Sequence, residues 1–382
     1  MSSFFKPSLN WLLVFLPIAA YQEYMPASYG GRHETWIFIA SCLAIIPAAG
    51  WMGNATEHLA ERTGEGVGGL LNATFGNAAE LIIALVAMHA GLYEVVKASI
   101  TGSIIGNLLL VLGGACLAGG LKHPKLTFNA QAASSYCSML FLAAAALVAP
   151  AMFHYLGGSG VQQREQSLSL VISIVLIVTY GCSLLFSLHT HRQLFTGSSG
   201  EAAEVDDGDG PEHTWSLKKS LGVLAIATVI LSVTAEWMVG SVTHAAQSFG
   251  MTNVFVGIII VAIVGNAAEH STALMMALKK RMDLAVGIAI GSSIQISLFV
   301  APVLVFASYF LGPAAQGPMD LVFTTAEVLA IVLAVLVTEQ VVSDGETNWL
   351  EGVQLLSVYI IIGLVFYFLP GEAQAPMVHA TE

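Results

Sequence analysis

This sequence predicts an all-α polytopic membrane protein, with one N-terminal helix followed by two inverted repeats of five helices. Three observations predict it. Of the 382 residues, 56% are hydrophobic and only 10% charged, and the mean hydropathy is +0.76. An ordinary soluble domain carries about 25% charged residues and needs a polar skin that this chain cannot supply. Windows of about 20 mostly apolar residues, enough for a helix to cross a bilayer, recur eleven times along the chain. Finally, the two halves of the chain match each other.

The eleven helices are expected at 8–27, 35–60, 66–89, 93–118, 127–153, 166–190, 217–247, 252–277, 283–311, 319–342 and 348–369. The first follows Lys6 and ends near Ala19-Ala20, an outline shared with signal peptides; it is expected to be retained as a helix. Cations accumulate on the cytoplasmic side of membrane proteins. An inward N-terminus puts Lys6, Arg62, Lys122, Lys125, Arg192, Lys218, Lys219, Lys279, Lys280 and Arg281 inside, and leaves Arg32, Lys97 and Arg164 outside. Eleven crossings then place the C-terminus outside. An integral protein of a prokaryotic inner (cell) membrane is the expectation.

The longest polar interval, 191–216, divides the helices, and six acids crowd into it: Glu201, Glu204, Asp206, Asp207, Asp209 and Glu212. The expected organisation is an N-terminal helix (1–30), a first repeat (31–190), an acidic cytoplasmic linker (191–216), a second repeat (217–370) and a tail (371–382). The linker reads as a solvated connector or a regulatory cation sensor. It does not fit an EF-hand loop.

At a fixed offset of 189, residues 67–111 match 256–300 at 15 of 45 positions. The matches include Gly76-Asn77-Ala78-Ala79-Glu80 with Gly265-Asn266-Ala267-Ala268-Glu269, and Gly102-Ser103 with Gly291-Ser292. Five helices per repeat is an odd number, so the second copy crosses the membrane with opposite polarity. Inverted repeats are the architecture of many secondary transporters, whose site lies at the midplane between them.

An ionisable group inside a membrane span is costly, so it marks function by default. Glu80 and Glu269 are expected well inside helices three and eight. Asn77 and Asn266, three residues earlier, share their helix faces. Small neighbours let helices approach closely in lipid, which would bring the two carboxylates together. Ser103, Asn107, Ser292, Ser293 and Gln295 on helices four and nine can add neutral groups. Carboxylates with amide and hydroxyl oxygens form a hard-cation set, suited to calcium or manganese rather than zinc or copper.

Burial and mutual repulsion favour protonated carboxylates, and a close pair titrates as a unit. One divalent ion neutralises both, and so do two protons. The expected metal site is therefore Glu80, Glu269, Asn77, Asn266, Ser103 and Ser292, with proton exchange at Glu80 and Glu269. Glu57, Glu236, Asn107 and Gln295 are expected along the ion pathway. Glu61 sits one turn from Glu57. Glu327 and Glu339 are about 18 Å apart along one helix and cannot serve one site. Calcium and protons are read as transported ions, with no cofactor.

Asn72-Ala-Thr-Phe-Gly-Asn-Ala-Ala-Glu80, with Val264-Gly-Asn-Ala-Ala-Glu-His270, resembles the paired signature repeats of the calcium/proton exchanger (CAX) family of the calcium/cation antiporter superfamily. The similarity extends to Gly53-Asn-Ala-Thr-Glu57, Ala235-Glu236, the run Gly102–Gly113, and Gly291-Ser-Ser-Ile-Gln-Ile296. The resemblance implies that Glu80 and Glu269 ligate calcium and exchange protons, and that an acidic segment joins helices six and seven. Gly106 and His58 depart from the family pattern. The Gly-Thr-Ser-x-Pro-Glu pattern of sodium/calcium exchangers is absent.

Other classes fit less well. The net charge of −12 and the lack of a basic patch argue against nucleic-acid binding. No Walker or His-Glu-x-x-His motif occurs, and Gly157-Gly158-Ser159-Gly160 lies in a loop, so a pump or an enzyme is not expected. A passive channel lined by acids is the competing transport reading. Cys42, Cys116, Cys137 and Cys182 have no metal or redox spacing and read as apolar packing.

Overall fold

The computed structural model describes residues 9–25, 31–63, 68, 71, 74–157, 162–191, 193 and 215–370. The six acids between 201 and 212, and the tail from 371, lie outside the described residues.

Apolar windows become helices because lipid offers the backbone no hydrogen-bond partners, so each span must satisfy its own. A 3-10 turn, Leu9–Val14, leads into α1 (Phe15–Glu23), and α2 (Glu34–Thr63) follows. Then come α3 (Ala78–His89), α4 (Tyr93–Lys122), α5 (Ala130–Gly157) and α6 (Gln163–Thr190). The second half holds α7 (Leu217–Ser248), α8 (Asn253–Gly265), α9 (Ala267–Leu278), α10 (Met282–Leu311), α11 (Thr325–Val342) and α12 (Trp349–Phe368). Among the described residues, eight helices are long and apolar enough to cross a membrane, and the α8–α9 pair makes a ninth.

Two expected spans need correction. Helices over 66–89 and 252–277 were expected to be continuous. Instead a turn at Gly76-Asn77 precedes α3, and α8 and α9 bend by 60° about Asn266. A Gly-Asn pair supports such a break, because Gly adds backbone freedom and Asn tolerates non-helical dihedrals.

Four segments among the described residues are π-helical: Gly106–Val111 in α4, Val256–Val261 in α8 and Ile296–Val300 in α10 interrupt their helices, and Phe186–Thr190 ends α6. At the repeat offset of 189, 107–111 falls on 296–300, so α4 and α10 are distorted at matching points. Such bulges gather at functional sites. Beside them the backbones touch. A Cβ on Gly102 would lie 2.0 Å from the Ile258 carbonyl oxygen, and one on Gly257 would lie 2.6 Å from Ala98 Cβ. Lipid provides no hydrophobic drive between helices, so this close packing of small residues does the holding.

Connections gather at the two ends of α4. At the Lys122 end, Leu126–Thr127 pairs antiparallel with Glu346–Thr347. There Lys122 Nζ donates to the Leu278 carbonyl at 3.1 Å, and Lys125 pairs with Glu346 at 2.5 Å. At the Tyr93 end, the Tyr93 hydroxyl donates to the Gly317 carbonyl at 2.8 Å. Lys97 pairs there with Asp320 at 2.5 Å. α2 and α7 run antiparallel side by side, with Arg32 near Gly240 at one end and His58 stacked on Trp215 at the other, ring centroids 4.7 Å apart. The outer faces of α6 and α12 expose Val171, Ile174, Val175 and Val178, and Ile360, Ile361, Leu364 and Val365, the apolar surface a bilayer covers. Cys42, Cys116 and Cys137 are buried, whereas Cys182 is exposed on α6.

Candidate ion-binding site

The two helix breaks build the site. Asn77 and Asn266 are the N-caps of α3 and α9, with nearly equal dihedrals (φ −98°, ψ 28° and φ −93°, ψ 6°). Glu80 and Glu269 therefore occupy first helical turns and not mid-helix positions, which corrects the expectation. The positive end of each short helix lies beside its carboxylate, a favourable place for negative charge.

The asparagines and serines cross between repeats. Ser292 Oγ donates to Asn77 Oδ1 at 2.7 Å, and Asn266 Nδ2 donates to Ser103 Oγ at 2.9 Å. Each contact is the repeat image of the other, since 77 and 103 become 266 and 292 at the offset. The remaining contacts break the symmetry. Asn107 Nδ2 reaches both Ser292 Oγ at 3.0 Å and Asn266 Oδ1 at 3.3 Å, and Asn77 Nδ2 donates to Gln295 Oε1 at 2.5 Å. The repeat images of Asn107 and Gln295 are Ile296 and Gly106, which cannot reproduce those bonds.

Glu80 is 7% exposed and lies across from the break in the other repeat. Its Cγ is 3.6 Å from where a Cβ on Gly265 would sit. Its Oε1 is 3.9 Å from the same point. Three oxygens of these residues are buried without a hydrogen-bond partner: Glu80 Oε2, Glu269 Oε2 and Asn107 Oδ1. A buried acceptor left without a donor is costly, and a bound cation or proton removes that cost. Among the described residues no cluster of three or more His, Cys, Asp or Glu occurs. The charge is thus two carboxylates, supplemented by neutral oxygens, which is the chemistry of a hard cation.

A cavity of about 440 Å³ leads to this place, lined among others by Glu57, Tyr136, Glu269, Asp283, Ser292 and Gln295. Along α10 it runs from Asp283 to Gln295, about 18 Å at the helical rise. Glu269 lines it and Glu80 does not, so an ion arriving by this route meets Glu269 first.

The structure brings Glu80, Glu269, Asn77, Asn266, Ser103, Ser292, Asn107 and Gln295 together. Glu57 is exposed on α2 and faces the same cavity. Glu236 does not join them. It is exposed on α7, near Glu23, whose carboxylate pairs with Arg32 at 3.1 Å. Ser293, a candidate neutral donor, bonds instead to the Ala289 carbonyl of its own helix at 3.0 Å. Glu61 pairs with His58 at 3.3 Å. Glu327 is buried as part of the capping box that starts α11, a structural role. Sequence reasoning passed over Asp283 and Asn129, which line the cavity. The signal for Asp283 was available, since the offset of 189 pairs it with Glu94.

The sequence profile of the family described as sodium/calcium exchanger protein matches residues 33–189 and 219–368. A Ca2+/H+ antiporter of Aphanothece halophytica is 44% identical over 368 residues, covering 94% of this chain and 96% of its own length. The Ca2+/H+ antiporter ChaA of Bacillus subtilis (strain 168) is 44% identical over 350 residues, covering 90% and 97%. The solved structure of native YfkE is similar with a TM-score of 0.78 at 38% identity, covering 95% of this chain and 100% of that one. A crystal structure of the H+/Ca2+ exchanger CAX has a TM-score of 0.64 at 14% identity, covering 94% and 92%. That likeness is one of fold.

Proposed function

Because the chain belongs to the sodium/calcium exchanger protein family, a family of membrane transporters and not of enzymes, we propose that it is an antiporter exchanging Ca2+ for H+ by alternating access. The observation that carries this reading is the pair of repeat-related carboxylates, each with a buried oxygen that lacks a partner. Two negative charges hold either one Ca2+ or two protons, and each occupant excludes the other. Glu80, Glu269, Asn77, Asn266, Ser103 and Ser292 form the metal site, and Asn107 and Gln295 fix its asymmetric half. The names of the relatives support calcium and protons as the ions.

Eleven crossings in two inverted repeats, with the N-terminus inside a cell membrane, remain our reading of the topology. In that arrangement the connections near 123–129, 279–281 and 343–348 share one face, and the contacts at the Lys122 end of α4 support this grouping. The same face carries Lys122, Lys125 and Lys279–Arg281, as the positive-inside rule requires. In that topology the cavity reaching Glu269 begins at Asp283 on the inner face, and we read the conformation as inward-facing. The acidic linker, a solvated connector or a regulatory cation sensor in this reading, lies outside the described residues.

Reconstitution tests the reading. Proteoliposomes with an imposed pH gradient should accumulate 45Ca2+ against its concentration gradient, whereas a passive channel only equilibrates it. Accumulation driven by a sodium gradient at fixed pH would replace the proton with sodium as the coupling ion.

A further inference from the structure

The aligned block of 45 residues holds two acids in each copy, and both align: Glu80 with Glu269, and Glu94 with Asp283. The first pair is the binding site proposed above. The second pair occupies the first turns of α4 and α10, each as the second helical residue. Asp283 lines the cavity that ends at Glu269, whose Oε2 is buried and unpartnered. It is also held in place. The Asn129 backbone N–H donates to Asp283 Oδ1 at 2.7 Å, and Asn129 Oδ1 in turn accepts from the Gln131 and Ala132 backbone at 3.0 and 3.1 Å.

The surroundings explain why a fixed acid is useful there. Lys279, Lys280 and Arg281 are exposed immediately before Asp283, and Lys122 lies against the Leu278 carbonyl. These cations raise the potential that an arriving divalent ion meets at this rim. Charges lining a cleft with low-dielectric walls govern local ion concentration, and Asp283 and Glu57 are the rim acids that offset the cationic surroundings. Glu94, exposed at the Tyr93 end of α4, occupies the repeat-equivalent place on the opposite face.

Resting on the antiport reading, we propose that Asp283 recruits the incoming divalent cation at the mouth on the Lys122 face. By the same repeat symmetry, Glu94 is its counterpart on the other face when the site is open there. Neither residue ligates the bound ion. Both act through the field at a mouth, so each affects one side of the membrane only.

Sided flux measurements on the full chain in proteoliposomes test this. Asp283→Asn keeps the acceptor for the Asn129 N–H and removes the charge. It should raise the KM for Ca2+ presented on the Lys122 face by roughly 3- to 10-fold at low salt, with kcat within about twofold. KM on the other face should stay unchanged. Glu94→Gln should do the reverse, and Asp283→Glu should restore the wild-type KM. Raising ionic strength should shrink the difference, because exposed charges are screened. A KM change on both faces or on neither, or a loss of kcat that Asp283→Glu does not repair, would overturn the proposal and leave Asp283 a structural staple. Wild-type protein without pH-driven uptake would instead refute the antiport reading itself.

Discussion

Glu80 and Glu269 share a sequence block but not a setting. Glu269 faces the cavity, and Glu80 is sealed behind it against Gly265. Replacing either by Gln keeps shape and a carbonyl oxygen, removes the charge that attracts Ca2+, and removes the proton acceptor. Glu80→Gln and Glu269→Gln should each reduce exchange to background in liposomes while leaving a monodisperse, folded protein on size exclusion; residual pH-driven uptake in either would disprove the joint site. Asn107 makes a second residue-level case. Asn107→Ala strips the donor from Ser292 Oγ and Asn266 Oδ1, and leaving buried acceptors unsatisfied costs about 1–3 kcal/mol. The expected result is a lowered melting temperature in detergent and weaker Ca2+ binding, both measurable by thermal shift with and without the ion. The glutamates, asparagines and serines were legible because the repeat printed them twice. Asn107 and Gln295 were legible only as candidates, because their partners lie 159 to 218 residues away and have no repeat image. Asp283 was passed over because a single acid beside three cations reads as an ordinary interfacial charge.

At the level of helices, apolar windows located the long spans to within a few residues: 35–60 became Glu34–Thr63, and 93–118 became Tyr93–Lys122. They missed the breaks at Asn77 and Asn266. A hydropathy average is blind to backbone continuity, and Gly-Asn-Ala-Ala lowers it too little to register. The repeat also hides a difference between elements. Gly102 and Gly291 are equivalent in sequence, yet a Cβ on Gly102 would run into the backbone of α8 while one on Gly291 would meet nothing within 4 Å outside its own helix. Gly102→Ala forces a methyl into the Ile258 carbonyl and should destabilise by about 1–3 kcal/mol or more. Gly291→Ala adds a methyl to open space, and restricting a helical glycine gains up to about 1 kcal/mol. Parallel denaturation curves of the two variants separate these outcomes. Equal destabilisation would mean that α4 and α10 are packed alike.

For the molecule as a whole, charge balance links site, coupling ion and pH. Ca2+ binds only when the carboxylates are ionised, so lowering pH must weaken binding as protons take its place. The sign is fixed: affinity is greatest at high pH and falls as pH drops. Metal binding that releases protons has a steep pH dependence: apparent Kd should rise by up to about a hundredfold per pH unit if two protons are displaced, and about tenfold if one is. The slope, read by calorimetry in buffers of different ionisation enthalpy, therefore also gives the number of protons exchanged. Sodium should have little effect. The two positions before each glutamate are Ala-Ala, which offer no side-chain oxygen for a companion monovalent ion. Protons need nothing beyond the two carboxylates. Uptake of Ca2+ should therefore follow an imposed pH gradient and ignore a sodium gradient at fixed pH. Binding whose affinity does not change between acidic and alkaline buffer would show that protons and metal do not share Glu80 and Glu269.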